Sequence, residues 1–196
     1  VSRLQLPFFA RDARVVAREL IGKYLTVENG RGGRIVEVEA YLGAQDRASH
    51  ARFGADGRSR LMYGPAGVAY VFLIYGMHEC FNIVTAEPEQ AEAVLLRALE
   101  PLPGTARCDG PGRLTRALGI DRRLNGSSLL DGPIAVEDHG EAAPRVVTTA
   151  RIGVDYAGAW AKRRLRYCEA NSRALSVPLA RPKQREIAPR RAFNRK

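Results

Sequence analysis

Arg34-Ile35-Val36-Glu37-Val38-Glu39-Ala40-Tyr41, followed by Leu42-Gly43, decides how the rest of the chain reads. At the two-residue period of a strand, Val36, Val38, Ala40 and Leu42 fall on one side and Glu37, Glu39 and Tyr41 on the other. The apolar side must face a core. Two carboxylates and a phenol are then presented in a row on the opposite side. Alternation alone fits a solvated face as well as it fits one wall of a polar pocket. Other segments have to supply a pocket around Glu39 if there is one.

Upstream, Arg11 to Gly22 places Val16, Leu20 and Ile21 among charges, with Asp12 near its start and Gly22 at its end, which predicts a short amphipathic helix. Tyr24–Val27 begins a strand, and Glu28–Gly33 is a turn, so the opening stretch is expected as the second arm of a hairpin. Downstream, residues 43–68 form a long loop rich in Gly, Arg, Ala and Ser. Loops of this length in compact domains are usually functional or disordered, and four arginines with His50 favour a surface that faces an anion. Ala69–Tyr75 is the strongest strand signal. Gly76 breaks it and Cys80–Val84 resumes it, which predicts a hairpin with Tyr75, Gly76, Met77 and His78 in its turn region. Phe72 shares a face with Tyr70 and Ile74. Tyr75 at the tip has no core to enter, so it is exposed or inserts into a partner.

Ala93–Leu99 is a further apolar strand with Arg97 inside it. A mid-strand arginine is rarely buried without a partner, so an acidic neighbour is expected, with Glu39 or Glu37 as candidates. Gly110-Pro111-Gly112 opens a helix over Arg113–Leu118. Such a glycine-rich start serves as a plain turn or as a phosphate cradle, and residues alone leave both open. Ile134–Glu137, Arg145–Thr149 and Leu165–Cys168 read as short strands, and Tyr156–Lys162 as a helical turn carrying Trp160. Prolines at 178, 182 and 189 argue against regular structure beyond Ser176. The sum is mixed α+β: hairpin-linked strands in an antiparallel sheet with helices on it.

The chain is 196 residues with 45% hydrophobic content, enough for one self-sufficient core. No apolar run reaches 18 residues and the start lacks a signal-peptide form, so no membrane partner and a cytoplasmic location are expected. Cys80, Cys108 and Cys168 are spaced as free thiols, and with three histidines no metal site is expected. The net charge of +10 comes almost wholly from arginine, whose planar fork suits phosphates and whose face stacks on bases. Residues 181–196 carry seven basic side chains against one glutamate. That basic C-terminal tail, expected to be flexible, is either a nucleic-acid-attracting arm or a solubilising end after a domain spanning 1–180.

No dinucleotide, Walker or nucleophile-elbow motif is present. What remains is a strand-borne carboxylate, an arginine to pair with it, aromatics and a basic surface. A glutamate is ionised at neutral pH, and a neighbouring arginine is expected to keep it so. It can deprotonate a water, a role worth roughly 10²–10⁴-fold, or stabilise a sugar oxocarbenium ion. Aromatics suit a planar base, since stacking contributes about 1–3 kcal/mol per base and unstacking costs a few. These parts permit hydrolysis of an N-glycosidic bond on a flipped nucleotide. They equally permit a non-catalytic nucleic-acid-binding module.

Five blocks in order carry a resemblance. They are Arg34–Gly43 with Asp46 and Ala48-Ser49-His50, Tyr70–Met77, Leu95–Pro101, Gly110–Ile120 and Arg151–Gly158. Together, across about residues 11–170, they resemble the alkyladenine (3-methyladenine) DNA glycosylase family. The resemblance implies a single compact domain with a curved, mostly antiparallel sheet, flanking helices and a protruding β-hairpin. It implies a monomeric, cofactor-free, monofunctional enzyme that acts on double-stranded DNA containing a damaged purine. Such an enzyme excises alkylated or deaminated purines and leaves an abasic site. Carried over by position, Glu39 would be the general base, with Arg97 and the Val154 carbonyl helping to hold the water. Tyr41, His50 and Phe72 would contact the flipped base. Asn82 would lie at the pocket floor, set against guanine's exocyclic amine. Tyr75, with Met77, would intercalate, and Glu37 would support Glu39. The chain departs from the family at Phe72, where a known member has tyrosine, at His78 and Glu79, which replace aromatics, and in its basic tail.

Overall fold

The computed structural model describes residues 1–180, so the predicted basic tail lies outside the described residues. Its ten strands are β1 (Ser2–Arg3), β2 (Tyr24–Val27), β3 (Gly32–Tyr41), β4 (Ala69–Ile74), β5 (His78–Thr85), β6 (Glu92–Pro101), β7 (Cys108–Asp109), β8 (Ile134–Asp138), β9 (Val146–Thr149) and β10 (Arg166–Glu169). All pair antiparallel in one sheet ordered β1-β8-β2-β3-β6-β5-β4, with β10 on β3, β9 on β10 and β7 on β6. The sheet curls into a half-barrel, and three short helices pack on it: α1 (Leu6–Phe9), α2 (Ala13–Leu20) and α3 (Pro111–Leu118). No helix among the described residues is long and apolar enough to cross a membrane.

α2 begins where Asp12 accepts a hydrogen bond from the Arg14 N–H at 2.8 Å, and it buries Val16, Ala17 and Leu20. α3 starts two residues earlier than periodicity indicated. Pro111 occupies its first turn, where the missing N–H costs nothing, and Gly119 closes it in the left-handed region. The long loop 43–68 contains two 3-10 helices, His50–Phe53 and Gly57–Tyr63. α1, β1 and β7 were not expected, since segments of two to four residues carry no detectable period.

β3 is the central strand, paired along one edge with β6 and along the other with β2 and then β10. Ile35, Val38, Ala40 and Leu42 join the main core with Phe81, Leu96 and Leu118. The register slips on either side of Glu37, the mark of a β-bulge. This corrects the simple alternation. Val36 leaves the apolar row and packs with Ala98, Cys168 and Leu175 in a separate cluster. Glu37 and Glu39 do not form a solvated face, because both are fully buried.

The β4–β5 hairpin forms as expected, with Phe72 opposite Cys80 and Ile74 opposite His78. At its tip Tyr75 (φ 52°) and Gly76 (φ 69°) are both left-handed, and the Met77 N–H donates to Ile74 O at 3.2 Å. Two consecutive positive φ values are the signature of a type I′ turn. Tyr75 and Met77 are 81% and 68% exposed.

Candidate active site

A cavity of about 540 Å³ opens between the loop after β3, the face of β4–β6, the start of α3 and the Arg151–Val154 segment. His50, Tyr70 and Phe72 make one aromatic wall. The His50 ring meets Phe72 edge-on at 4.6 Å between centroids, and the Tyr70 ring lies 5.2 Å from Phe72. His50 Nδ1 and the Tyr70 hydroxyl are 2.8 Å apart. Burial and the nearby guanidiniums of Arg58 and Arg52 push the His50 pKa down, so its ring is neutral at physiological pH. Tyr70 was not picked out from the sequence, although it lies on the Phe72 face.

Tyr41 lines another part of the cavity. Its ring carries the Arg151 guanidinium 4.6 Å from its centroid. Arg151 is fixed by a fully buried pair with Asp46, at 2.6 and 2.8 Å, and donates to Ala40 O at 2.9 Å. Asp46 also accepts from the Leu42 and Ala48 N–H groups, so one carboxylate folds the loop back over the end of β3. Gly43 makes that turn at φ 59°, and a Cβ there would meet Gln90 O at 2.7 Å. This is how residues 46–50 reach the aromatic wall.

Glu39 sits behind the cavity wall. Its own carboxylate is fully buried, while Tyr41, Arg97 and Ile152, which contact it, all line the cavity. The Tyr41 hydroxyl donates to Oε2 at 2.9 Å and the Ile152 N–H to Oε1 at 2.8 Å. Arg97 Nη1 lies 3.4 Å from Oε1. Desolvation raises the Glu39 pKa despite the opposing effects of Arg97 and the Ile152 amide. Arg97 favours the ionised form, as the neighbouring-arginine reading expected, but burial is the larger influence on this group.

The nearer partner of Arg97 is Glu37, at 2.9 Å from Nε to Oε1. Glu37 Oε1 also accepts from Arg166 Nε at 2.8 Å and the Ser176 hydroxyl at 2.7 Å, and Oε2 accepts from the Ser176 N–H at 2.6 Å. These donors more than offset desolvation, and its pKa is lowered. Both carboxylates flagged as candidates for Arg97 are thus engaged, in different ways. Arg151, Ile152, Arg166 and Ser176 were not foreseen. Arg151 stands in a loop after β9 and Arg166 follows the basic run Lys162-Arg163-Arg164, so neither is marked out by its surroundings, and a backbone N–H leaves no mark in sequence.

Asn82 is buried in the lining and donates from Nδ2 to Tyr70 O at 3.0 Å. Val154 also lines the cavity, and its carbonyl accepts from the Ala157 N–H at 2.9 Å, leaving a second lone pair. Tyr75 lies at the cavity rim, and Met77 is exposed one residue past Gly76. Cys80 lines the cavity too, with burial pushing its thiol up to about 11, so it is no nucleophile at neutral pH. Among the described residues, no three His, Cys, Asp or Glu side chains converge as a metal site requires.

A family profile described as methylpurine-DNA glycosylase (MPG) matches residues 7–173. A protein of Myxococcus xanthus (strain DK1622) is 50% identical over 177 residues, covering 86% of this chain and 91% of its own length. One from Anaeromyxobacter sp. (strain Fw109-5) is 48% identical over 182 residues, covering 90% and 94%. One from Legionella pneumophila (strain Lens) is 46% identical over 172 residues, covering 85% and 94%. All three bear the name "Putative 3-methyladenine DNA glycosylase". With its profile match spanning most of the chain and these relatives aligned nearly end to end, the chain belongs to the methylpurine-DNA glycosylase family.

Proposed function

We propose that the protein is a monofunctional DNA glycosylase that acts as a monomer on double-stranded DNA. It flips a damaged purine into the cavity and hydrolyses its N-glycosidic bond, leaving an abasic site for base excision repair. The substrates are alkylated purines such as 3-methyladenine and 7-methylguanine, together with hypoxanthine and ethenoadenine. The observation that carries this reading is the carboxylate of Glu39, buried directly behind a cavity with aromatic walls and held at both oxygens.

In this mechanism the purine packs between Tyr41 and the His50–Phe72 wall. A water held by Arg97, the Val154 carbonyl and Glu39 attacks C1′ of the deoxyribose. Its oxygen bonds to C1′ as the C1′–N bond breaks, the bond's electron pair leaves with the base, and the water's proton passes to Glu39. The raised pKa of Glu39 suits the role, since a base works best with a pKa near the working pH. Because Glu39 stands behind the lining, the water reaches it only where the Tyr41 hydroxyl yields or shares the carboxylate. A lyase step would need an amine nucleophile, and no lysine lies in the matched blocks, so simple hydrolysis follows.

Selection follows from charge and shape. Alkylated purines such as 7-methylguanine are cationic and favour stacking on electron-rich rings. Their glycosidic bonds are already weak. Neutral hypoxanthine lacks both advantages, so it is released more slowly than 3-methyladenine, and equal rates would refute the charge-based account. Asn82 at the wall crowds the position of guanine's exocyclic amine. Phe72 keeps the stacking face of tyrosine and loses its hydroxyl, which alters preference among bases rather than activity itself.

The test is release of free base from duplexes carrying 3-methyladenine, 7-methylguanine, hypoxanthine or ethenoadenine, in EDTA. Release is expected without added metal. No release from any duplex would leave a nucleic-acid-binding module on the same fold, and a requirement for metal would exclude the proposed chemistry.

A further inference from the structure

The chain after β10 crosses back over the buried carboxylates and is pinned there at several points. The Ser172 hydroxyl donates to Glu100 Oε1 at 2.9 Å, Leu175 is buried against Val36 and Ala98, and Arg166 donates to the Val177 carbonyl. Between these anchors, Ser176 contacts both members of the Arg97–Glu37 pair. Its hydroxyl donates to Glu37 Oε1 at 2.7 Å and accepts from Arg97 Nε at 3.3 Å and Nη2 at 3.2 Å. Two of the three guanidinium nitrogens are therefore held by Glu37 and Ser176. The third, Nη1, is left at 3.4 Å from Glu39.

We infer that Ser176 is a positioning residue for the hydrolysis proposed above: through Arg97 it sets the spacing between guanidinium and general base. The inference rests on that reading of Glu39. A hydroxyl suits the place because it offers a lone pair to the cation and a proton to the anion at once. Glu37 alone fixes only the Nε edge, about which the guanidinium can still turn. Ser176 closes that freedom from Nη2. The main-chain N–H of Ser176 holds Glu37 Oε2 independently at 2.6 Å, so the segment stays docked when the hydroxyl is removed.

Arg97 is the strongest influence stabilising the ionised form of Glu39 against burial. When its orientation relaxes, that influence weakens and Glu39 holds its proton to higher pH. The test is single-turnover excision of 7-methylguanine from a duplex between pH 4.5 and 8.5, with spontaneous loss subtracted, for wild type, Ser176→Ala and Ser176→Thr. The acid limb of Ser176→Ala is expected to move up by about 0.5–1 pH unit, a loss of roughly 3–10-fold below the limb. The loss falls on kcat and not on KM, and Ser176→Thr, which keeps the hydroxyl, restores the wild-type limb. Superimposed limbs in folded proteins, or an equal loss at every pH, would overturn the inference. If Ser176→Ala melts below the assay temperature, Ser176→Cys, a weak acceptor of similar volume, takes its place with the same shift expected. Absence of excision by wild type, or an acid limb that survives Glu39→Gln, would instead strike the underlying reading of Glu39.

Discussion

Glu37 and Glu39 stand two residues apart on one strand, both fully buried, and their proton affinities are displaced in opposite directions. The difference lies in their partners. Glu37 takes hydrogen bonds from Arg97, Arg166 and both the backbone and side chain of Ser176, which stabilise its charge. Glu39 has one amide, one phenol and an arginine at longer range, too little to offset desolvation. Neighbouring carboxylates with separated pKa values are a recurring feature of acid–base sites. Here the separation matches the division proposed above, with Glu39 as the base and Glu37 as its support.

For Glu39 the consequence is a cost in stability, which the proposed mechanism sets against its role as general base. A group whose folded pKa is raised destabilises the folded state as pH rises from the unfolded value, about 4.3, through the folded one. Glu39→Gln removes that cost. It is expected to abolish excision, to retain binding to the alkylated duplex, and to melt above wild type at pH 8. The melting difference shrinks as pH falls below about 4.3. Melting curves at several pH values with paired excision assays check this. A variant that excises at the wild-type rate would remove Glu39 from the reaction.

Glu37 has the opposite sign. Its lowered pKa contributes stability that is present above the unfolded value of about 4.3 and lost as pH falls through the folded one. Glu37→Gln leaves Arg97 and Arg166 buried without their shared anion. Breaking a buried pair in this way costs about 3–5 kcal/mol, so the urea midpoint at pH 7 should fall sharply, and the deficit should narrow under acid. A variant as stable as wild type at pH 7 would show that Arg97 and Arg166 find other partners.

Tyr75 occupies a left-handed position in a type I′ turn, where Asn or Gly is favoured and other L-residues cost roughly 1–2 kcal/mol. It is also exposed, so nothing in the fold repays that cost. A backbone outlier of this kind points to function. Tyr75→Asn, which creates an Asn-Gly turn, is expected to hold or raise the melting temperature while weakening affinity for damaged duplex and reducing base flipping. A fluorescent base analogue opposite the tip reports the flipping. Unchanged flipping would deny Tyr75 a place in the DNA.

How much of this was legible depends on how far apart the interacting residues lie. Alternation placed Glu37, Glu39 and Tyr41 together on β3, and parity put Phe72 beside Tyr70, because both readings involve only neighbours along one strand. The bulge that diverts Val36 left no mark, since it is defined by the slipped register with β6. Burial of the carboxylate face was equally silent. It depends on Ile152 and Ser176, which lie 113 and 139 residues away from their glutamates. Ser176 precedes Pro178 in a stretch with no periodic pattern, so neither strand nor helix reasoning could single it out. The hairpin tip was readable because an aromatic followed by glycine between two strands has nowhere to be buried.

The basic C-terminal tail carries most of the protein's excess charge, seven basic residues against one glutamate within a net +10. A segment that neutralises phosphates releases counterions, and each contact steepens log K against log salt by about 0.9. Deletion after Ala180 keeps Ser176 and every described residue of the cavity lining. The truncated protein is expected to bind undamaged duplex more weakly and with a slope lower by several units, up to about 5 if every net charge meets a phosphate. Its single-turnover excision rate at saturating enzyme should match the full chain, because the tail would act on encounter and not on chemistry. Titration of a labelled duplex from 50 to 200 mM salt measures the slope. Equal slopes for the two proteins would make the tail a passive end and return the burden of DNA attraction to the arginines of the folded domain.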